Sequence, residues 1–286
     1  MKRVVYLLVL LCVLDVVLAQ TTISECVAQG CRPVRIRVSS SPPAVCVTAS
    51  PIVGLRQFKL STPVCCCEQD VFNSILAFQK EIQANNDNFP PAGTSDFRVI
   101  AGKRNVLLSA PHATRHVREG AAKDADFCTG AIARAVAELT GATVIFTTHK
   151  SANDPNFVDA VDGRLIPYKQ ALADLSRAGG LTAVLDVHGA SETQPFDVDF
   201  GTLNGKSVLG NPLLIHLLSA SFKAEGFGEL TSNVFAAEQQ ASVTKFASQQ
   251  LGIPAVQLEI NRKFRCQTKE DTLRLVRAMV RVINAI

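Results

Sequence analysis

Two histidines and one glutamate stand where short apolar runs give out. Val106-Leu107-Leu108-Ser109-Ala110 leads into Pro111-His112, Val184-Leu185 leads into Asp186-Val187-His188-Gly189, and Val256-Gln257-Leu258 leads into Glu259-Ile260-Asn261-Arg262. The gaps between the three are 76 and 71 residues, so only a fold can bring them together. Two imidazoles with a carboxylate beside them suit a catalytic zinc, which takes three protein ligands and keeps one position for water. The third ligand must be a carboxylate or a further histidine. Glu119, Asp124 and Asp126 follow His112 and are the acidic candidates, and His116-Val-Arg-Glu119 could supply a ligand pair by itself.

The neighbours of these residues fit the same chemistry. Asp186 lies two residues before His188, and positions i and i+2 of a strand face one side. Asp186 could therefore hold the imidazole from behind. Glu259 becomes the candidate general base, taking the proton of a water as it attacks a carbonyl. A charged residue inside an apolar strand costs folding energy unless it is partnered. Arg262 lies near Glu259, and Arg115 and Arg118 lie near His112. A guanidinium binds a carboxylate in bidentate fashion and can steady a developing oxyanion. The implied reaction is hydrolysis of an amide that carries a nearby carboxylate.

Other chemistries are less well supplied. Ser109 lacks the Gly-x-Ser-x-Gly setting of a serine hydrolase nucleophile. Cys128 at a helix start could be a reactive thiol, but no Cys-His-Asn pattern accompanies it. No Gly-rich phosphate fingerprint is present. His149 and His216 read as surface or helix-packing residues, and Asp154-Pro-Asn156 reads most simply as a turn, although it could reach the site from a strand end.

The elements that must position these residues alternate. Residues 68 to 84 place Val71, Phe72, Ile75, Leu76 and Ile82 on one helical face, and 85 to 95 form a polar, Pro-containing loop. Short apolar strands are expected at 97–101, 105–110, 142–147, 182–187 and 253–260. Helices are expected at 125–139, 168–177, 213–223, 243–251 and 269–286. Continuous apolar strands between helices predict an α/β domain with a mostly parallel sheet buried on both sides. In such sheets ligands bind at the carboxyl ends of the strands, where His112, His188 and Glu259 fall.

Composition bounds the alternatives. The chain has 286 residues, is 47% hydrophobic and 19% charged, and carries a formal charge of +4. It can bury a sizeable core, which excludes a wholly disordered chain. With no Trp, two Tyr and no basic tract, a nucleic-acid partner is not expected.

The first residues read as an address. Lys2-Arg3 precedes an apolar run from Val4 to Leu14, and Val17-Leu18-Ala19 offers small residues for cleavage, as in a secretory signal peptide spanning 1–19. The run is too short to cross a bilayer, so the mature chain is expected to be secreted and free of the membrane. Cys26, Cys31, Cys46, Cys65, Cys66 and Cys67 crowd into 20–67. That density predicts a small disulfide-rich module of unknown pairing and partner. Cys128 and Cys266 either pair or act as small buried apolar residues.

At the site residues the chain resembles the N-formylglutamate amidohydrolase family, within the wider zinc-dependent exopeptidase-like group that includes carboxypeptidases and aspartoacylases. The segments that carry the resemblance are Ser-Ala-Pro-His112, then Arg118-Glu-Gly-x-x-Lys123-x-x-Asp126-x-x-Thr129-Gly130, Asp154-Pro-Asn156, Leu185-Asp-Val-His188-Gly189-Ala190, Phe200-Gly-Thr-Leu-Asn-Gly205 and Gly252-Ile-Pro-Ala-Val-Gln-Leu-Glu259-Ile-Asn-Arg262. They fall in order across 68–286. The resemblance implies an α/β zinc hydrolase of the three-layer exopeptidase-like type, with a mostly parallel mixed sheet, helices on both faces and one zinc per chain. It implies His112 and His188 as ligands, Glu259 as the base, and Asp126 as the acidic ligand, because an Asp or Glu precedes the Thr-Gly pair in the family-like segment. Carboxypeptidases and aspartoacylases carry that ligand three residues after the first histidine, where this chain has Arg115, so Glu119 stands as the alternative.

The expectation is a secreted zinc amidohydrolase or peptidase-like enzyme acting on an N-acyl amino acid or small acidic peptide. Glu259, Arg262 and Arg118 would be catalytic, with Arg115 and Asn261 contacting substrate. The alternative is an inactive secreted binding protein on the same fold.

Overall fold

The computed structural model describes residues 68–286. The expected signal peptide and Cys-rich module lie outside the described residues, as do their cysteines. The compact unit described here is Ser74–Ile286.

A helix, α1 (Glu68–Ala84), leads in, followed by β1 (Phe97–Ile100) and β2 (Arg104–Ala110). A hairpin of β3 (His116–Arg118) and β4 (Ala121–Lys123) precedes α2 (Thr129–Thr140) and β5 (Ala142–Thr147). A second small hairpin, β6 (Ala160–Val161) and β7 (Arg164–Leu165), leads to α3 (Pro167–Ala178) and β8 (Ala183–Ala190). Then come β9 (Val198–Gly201), α4 (Leu213–Ala224), β10 (Leu230–Ser232), the single turn α5 (Val243–Lys245), β11 (Ala255–Asn261) and α6 (Lys269–Ala285).

Seven strands form one sheet in the order β1-β5-β2-β8-β11-β9-β10. The central β5, β2, β8 and β11 run parallel, whereas β1 meets β5 and β9 meets β11 antiparallel. This mixed sheet is mostly parallel, as the apolar strands predict. The strands are buried on both faces because helices cover both. Leu107, Val184 and Ala255 pack with Tyr168 and Leu172 of α3 and with Val243 and Phe246 on one face. On the other face Phe146 of β5 meets Phe78 of α1 edge-on at 5.4 Å. There α2 lies close to the chain after β2: a Cβ on Gly130 would sit 2.6 Å from Ala113 Cβ, so only glycine permits that approach. The last helix, α6, buries Leu273, Val276, Met279, Val280 and Ile283, and Thr268 caps it by accepting from the Asp271 amide.

Three expectations about boundaries are corrected. The helix expected from Ala125 starts at Thr129, because the Asp126 amide donates to the His112 carbonyl at 2.7 Å and Cys128 takes a left-handed φ of 71°. The helix expected over 243–251 makes one α-turn and then widens into a π-turn at Phe246–Gln250. His188 and Glu259 lie inside β8 and β11 rather than beyond them. The short β3, β4, β6, β7, β9 and β10 were not expected. No helix among the described residues is long and apolar enough to cross a membrane.

Candidate metal centre

Strand register brings the distant residues together. Glu259 pairs with His188 across β11 and β8, and with Asp199 across β11 and β9. One step earlier Asp186 pairs with both Ser109 and Gln257. Directly paired residues share a face, so Asp186, His188, Gln257 and Glu259 project together at the carboxyl end of the sheet. His112 arrives from two residues past β2. Its carbonyl captures the Asp126 amide, which draws the 125–128 segment out of α2 and over the same end.

Asp126 Oδ2 lies 3.5 Å from His112 Nδ1 and 3.2 Å from His188 Nδ1. These three ligand atoms all fall within 4.8 Å of one another. The far nitrogen of each ring faces a fully buried carboxylate. His112 Nε2 is hydrogen-bonded to Asp154 Oδ1 at 2.7 Å, and His188 Nε2 lies 3.2 Å from Asp186 Oδ2. An imidazole backed by a carboxylate on its far side is the usual outer arrangement of a metal-ligating histidine.

A second cluster, His112, His116 and Asp154, shares His112. His116 stacks on His112 with ring centroids 4.0 Å apart. Arg118 donates to Asp154 Oδ2 at 2.6 Å, and the Asn156 amide donates to Oδ1 at 2.8 Å. A guanidinium already neutralises Asp154, so a cation there would have to displace it. Among the described residues, Asp126 has only the two imidazoles within ion-pair distance, and it is the carboxylate that suits a cation.

The titration behaviour follows from burial and these contacts. Burial works against Asp126 ionising, but His112 and His188 hold it well below the ordinary carboxylate range. Asp154 is likewise lowered by His112 and His116 against its burial. Burial disfavours charge on His112, yet Asp126 and Asp154 raise it overall. His188 is raised further, by Asp186, Asp126 and Glu259 against the same opposition. His116, with the weaker partners, is lowered by burial. Glu259 is pushed up to about 7, chiefly by burial. Its Oε1 accepts from Gln257 Nε2 at 2.9 Å.

The structure thus assembles His112, Asp126, His188, Asp186 and Glu259. It does not bring in every residue read from the sequence. Glu119 is exposed at the β3–β4 turn with φ 51°, so as a ligand candidate it is replaced by Asp126. Arg115 is partly exposed and paired with Asp87 and Asp124 at 2.7 Å each, and it does not join the cluster of His112, Asp126 and His188. Asn261 is buried, its amide donating to the Gln194 and Phe196 carbonyls at 3.2 and 3.0 Å, and serves the fold. Arg118 is engaged by Asp154 and lies over the Phe157 ring, so it orients a carboxylate rather than awaiting one. Arg262 stacks over Phe127 at 4.1 Å and forms no ion pair among the described residues. Cys128 is joined to Cys266 in a disulfide and offers no thiol nucleophile.

Two residues here were not singled out as members of the site. Asp154 was read as a turn, although its place in the Asp-Pro-Asn segment was the available signal. Arg265 carried none. It is buried beside Asp126 and Glu259, and burial pushes its guanidinium down to about 10.

No protein-family model matches the chain, and no curated protein matches it in sequence. Solved structures do match. N-formylglutamate amidohydrolase from Ralstonia eutropha JMP134 aligns at TM-score 0.52 and 14% identity, covering 68% of this chain and 98% of that one. A gene product of Agrobacterium tumefaciens aligns at 0.49 and 14%, covering 71% and 99%. A metallo-carboxypeptidase from Burkholderia cenocepacia aligns at 0.43 and 15%, covering 73% and 67%. At these identities what is shared is architecture, and the described domain has the fold of N-formylglutamate amidohydrolase.

Proposed function

We propose that this protein is a zinc-dependent hydrolase of amide bonds whose substrate carries a carboxylate, in the manner of an N-acyl amino acid or a short acidic peptide. The observation that carries the reading is the convergence of His112, Asp126 and His188 on one point, with Glu259 in register beside His188. Two imidazoles and one carboxylate make a three-ligand set of the kind used by catalytic zinc. Each imidazole is backed by a buried aspartate, which supports the assignment.

When bound, zinc acts as a Lewis acid on the scissile carbonyl and makes water a nucleophile near neutral pH. His112 and His188 must be neutral to serve it, with Asp154 and Asp186 fixing their ring orientation. Glu259, with a pKa of about 7, is suited to take a proton from the attacking water and deliver it to the departing nitrogen. Gln257 steadies Glu259 by donating to Oε1. Arg262, which stacks over Phe127 and forms no ion pair among the described residues, would bind the substrate carboxylate in bidentate fashion. The resemblance of the ordered motifs and the shared fold support membership of the N-formylglutamate amidohydrolase-like group.

Export is part of the same proposal. The signal-like segment 1–19 motivates it, and the Cys128–Cys266 disulfide is of the kind that persists in oxidising compartments.

Elemental analysis of the purified protein, with His112→Ala and His188→Ala beside the parent, tests the site. One zinc per chain in the parent, lost in both variants, is expected. Hydrolysis of N-acyl glutamate and N-acyl aspartate should then be zinc-dependent. A parent protein that holds no zinc when zinc is supplied overturns the mechanism and favours a binding role.

A further inference from the structure

Arg265 is 3% exposed and, among the described residues, meets no carboxylate at hydrogen-bonding distance. Its guanidinium donates instead to three backbone carbonyls: Nη1 to Phe127 at 2.7 Å, Nη2 to Ala190 at 2.8 Å, and Nε to Ile260 at 3.0 Å. Those acceptors are not scattered. Phe127 follows Asp126, Ala190 lies just past His188, and Ile260 follows Glu259. One planar fork therefore gathers the segments that carry the acidic ligand, the second imidazole and the base. The rigid spacing of a guanidinium's donors is what such a three-way bridge requires, and an ammonium cannot reproduce it.

Two features show that the chain makes room for this fork. A Cβ on Gly189 would lie 2.2 Å from Arg265 Nη1, so glycine next to His188 is what admits the guanidinium. The disulfide joins Cys128 to Cys266, the residues immediately beyond Phe127 and Arg265, and holds the two segments within reach. A buried cation costs several kcal/mol unless its donors are satisfied. Here all three nitrogens of the fork are used.

Resting on the zinc site proposed above, we propose that Arg265 is its positioning residue, setting the spacing of Asp126, His188 and Glu259 before any metal arrives. Its effect should appear in zinc affinity itself, independently of any substrate.

The experiment is a zinc titration of the full chain against a competing chelator, for the parent, Arg265→Met, Arg265→Lys and Gly189→Ala. Arg265→Met should bind zinc about 10- to 100-fold more weakly, the range typical of lost outer-shell support. Arg265→Lys should fall with it, since it keeps the charge but loses the fork. Gly189→Ala keeps the arginine but places a methyl group where the guanidinium lies, and should reproduce the loss. The Arg265→Met/Gly189→Ala double variant should be no worse than Arg265→Met, because both remove one interaction. Ile283→Ala controls for destabilisation. Ile283 is fully buried and its carbonyl accepts from Arg104 at the start of β2, the end of the sheet away from the site. That variant should melt earlier with zinc affinity unchanged. Parent-like zinc affinity in both Arg265→Met and Gly189→Ala would overturn the positioning role and leave the zinc site standing. A parent that binds no zinc would overturn the site and the inference together.

Discussion

Glu259→Gln separates the price of the base from its use. Glu259 ionises at about 7 rather than the ordinary 4.5, with burial as the main cause. A carboxyl raised in the folded state favours folding while it is protonated in both states and opposes it once it must ionise. The cost is absent below about pH 4.5, grows between the two values, and is complete above about pH 7. At about 1.4 kcal/mol per pH unit, it amounts to about 3 kcal/mol near pH 8 and less than about 1 kcal/mol near pH 5. Gln is isosteric, and its carbonyl can still accept from Gln257 Nε2. Its own burial cost is the same at both pH values, so the difference between them reads the ionisation of the carboxyl together with its coupling to His188. In metal-stripped protein, Glu259→Gln should therefore gain about 2 to 3 kcal/mol on the parent in moving from pH 5 to pH 8. For a domain of this size that is about 5 to 10 °C in melting temperature. Calorimetry of both proteins at the two pH values reads it directly. With zinc restored, the variant should keep its metal and lose about 10²- to 10⁴-fold in turnover. An equal melting difference at both pH values would show that the carboxylate is not desolvated, and the argument for a base poised near neutrality would fail.

The other perturbations separate neighbouring roles. Asp126→Ala should abolish stoichiometric zinc binding, whereas Glu119→Ala should leave it intact; the opposite pattern, read by elemental analysis, would move the acidic ligand to the hairpin. Asp154→Asn weakens the hold on His112 Nε2 and releases Arg118, so zinc affinity should fall about 10- to 100-fold in a chelator titration. Zinc affinity should also drop as pH falls, beginning above the ordinary imidazole value because His112 and His188 are both raised and must lose their protons to bind; a flat profile between about pH 6 and pH 8 would contradict that. Replacing Cys128 and Cys266 with Ala opens a loop closed across 138 residues, and chain entropy puts the loss of stability at up to about 5 kcal/mol. Denaturant titration would show it, and an unchanged midpoint would mean the cross-link adds nothing to the fold.

The parts of the fold and site that could be read from the sequence are those that local pattern controls. Central strands buried on both faces show as apolar runs, so β2, β5, β8 and β11 were legible, and with them His188, Glu259 and the shared face of Asp186. The α/β alternation followed. What escaped depends on contacts between distant segments. Asp126 stands among the acidic candidates after His112, but the amide bond to the His112 carbonyl that draws it out of the expected helix is not written in the local pattern. Asp154 sits in a turn-forming tripeptide, and its burial against His112, His116 and Arg118 depends on its loop meeting the distant 112–118 segment. The four-residue β9 and three-residue β10 are too short for a periodic signal. Arg115 and Arg118 are three residues apart on the same approach to the site, yet one faces Asp87 and Asp124 at the surface while the other faces Asp154. Their spacing alone could not divide those roles.

The balance of charge explains why the site suits a divalent ion. Asp126, Asp154, Asp186 and Glu259 contribute four carboxylates. Arg118, bound to Asp154, and Arg265, beside Asp126 and Glu259, supply two fixed positive charges. With neutral imidazoles, two negative charges are left over in a largely buried space. The metal-free protein offsets them by protonation: His188 is held well above its ordinary value and Glu259 is pushed up to about 7. A divalent cation between His112, Asp126 and His188 would supply the missing charge directly. It would displace the imidazole protons and lower Glu259 toward the ionised form that a base requires. Arg262, with its guanidinium on Phe127, forms no ion pair among the described residues, although Glu192 is near enough to favour its charge. In the proposed reading, a substrate carboxylate would give Arg262 an ion-pair partner, which favours an acidic substrate over a neutral amide.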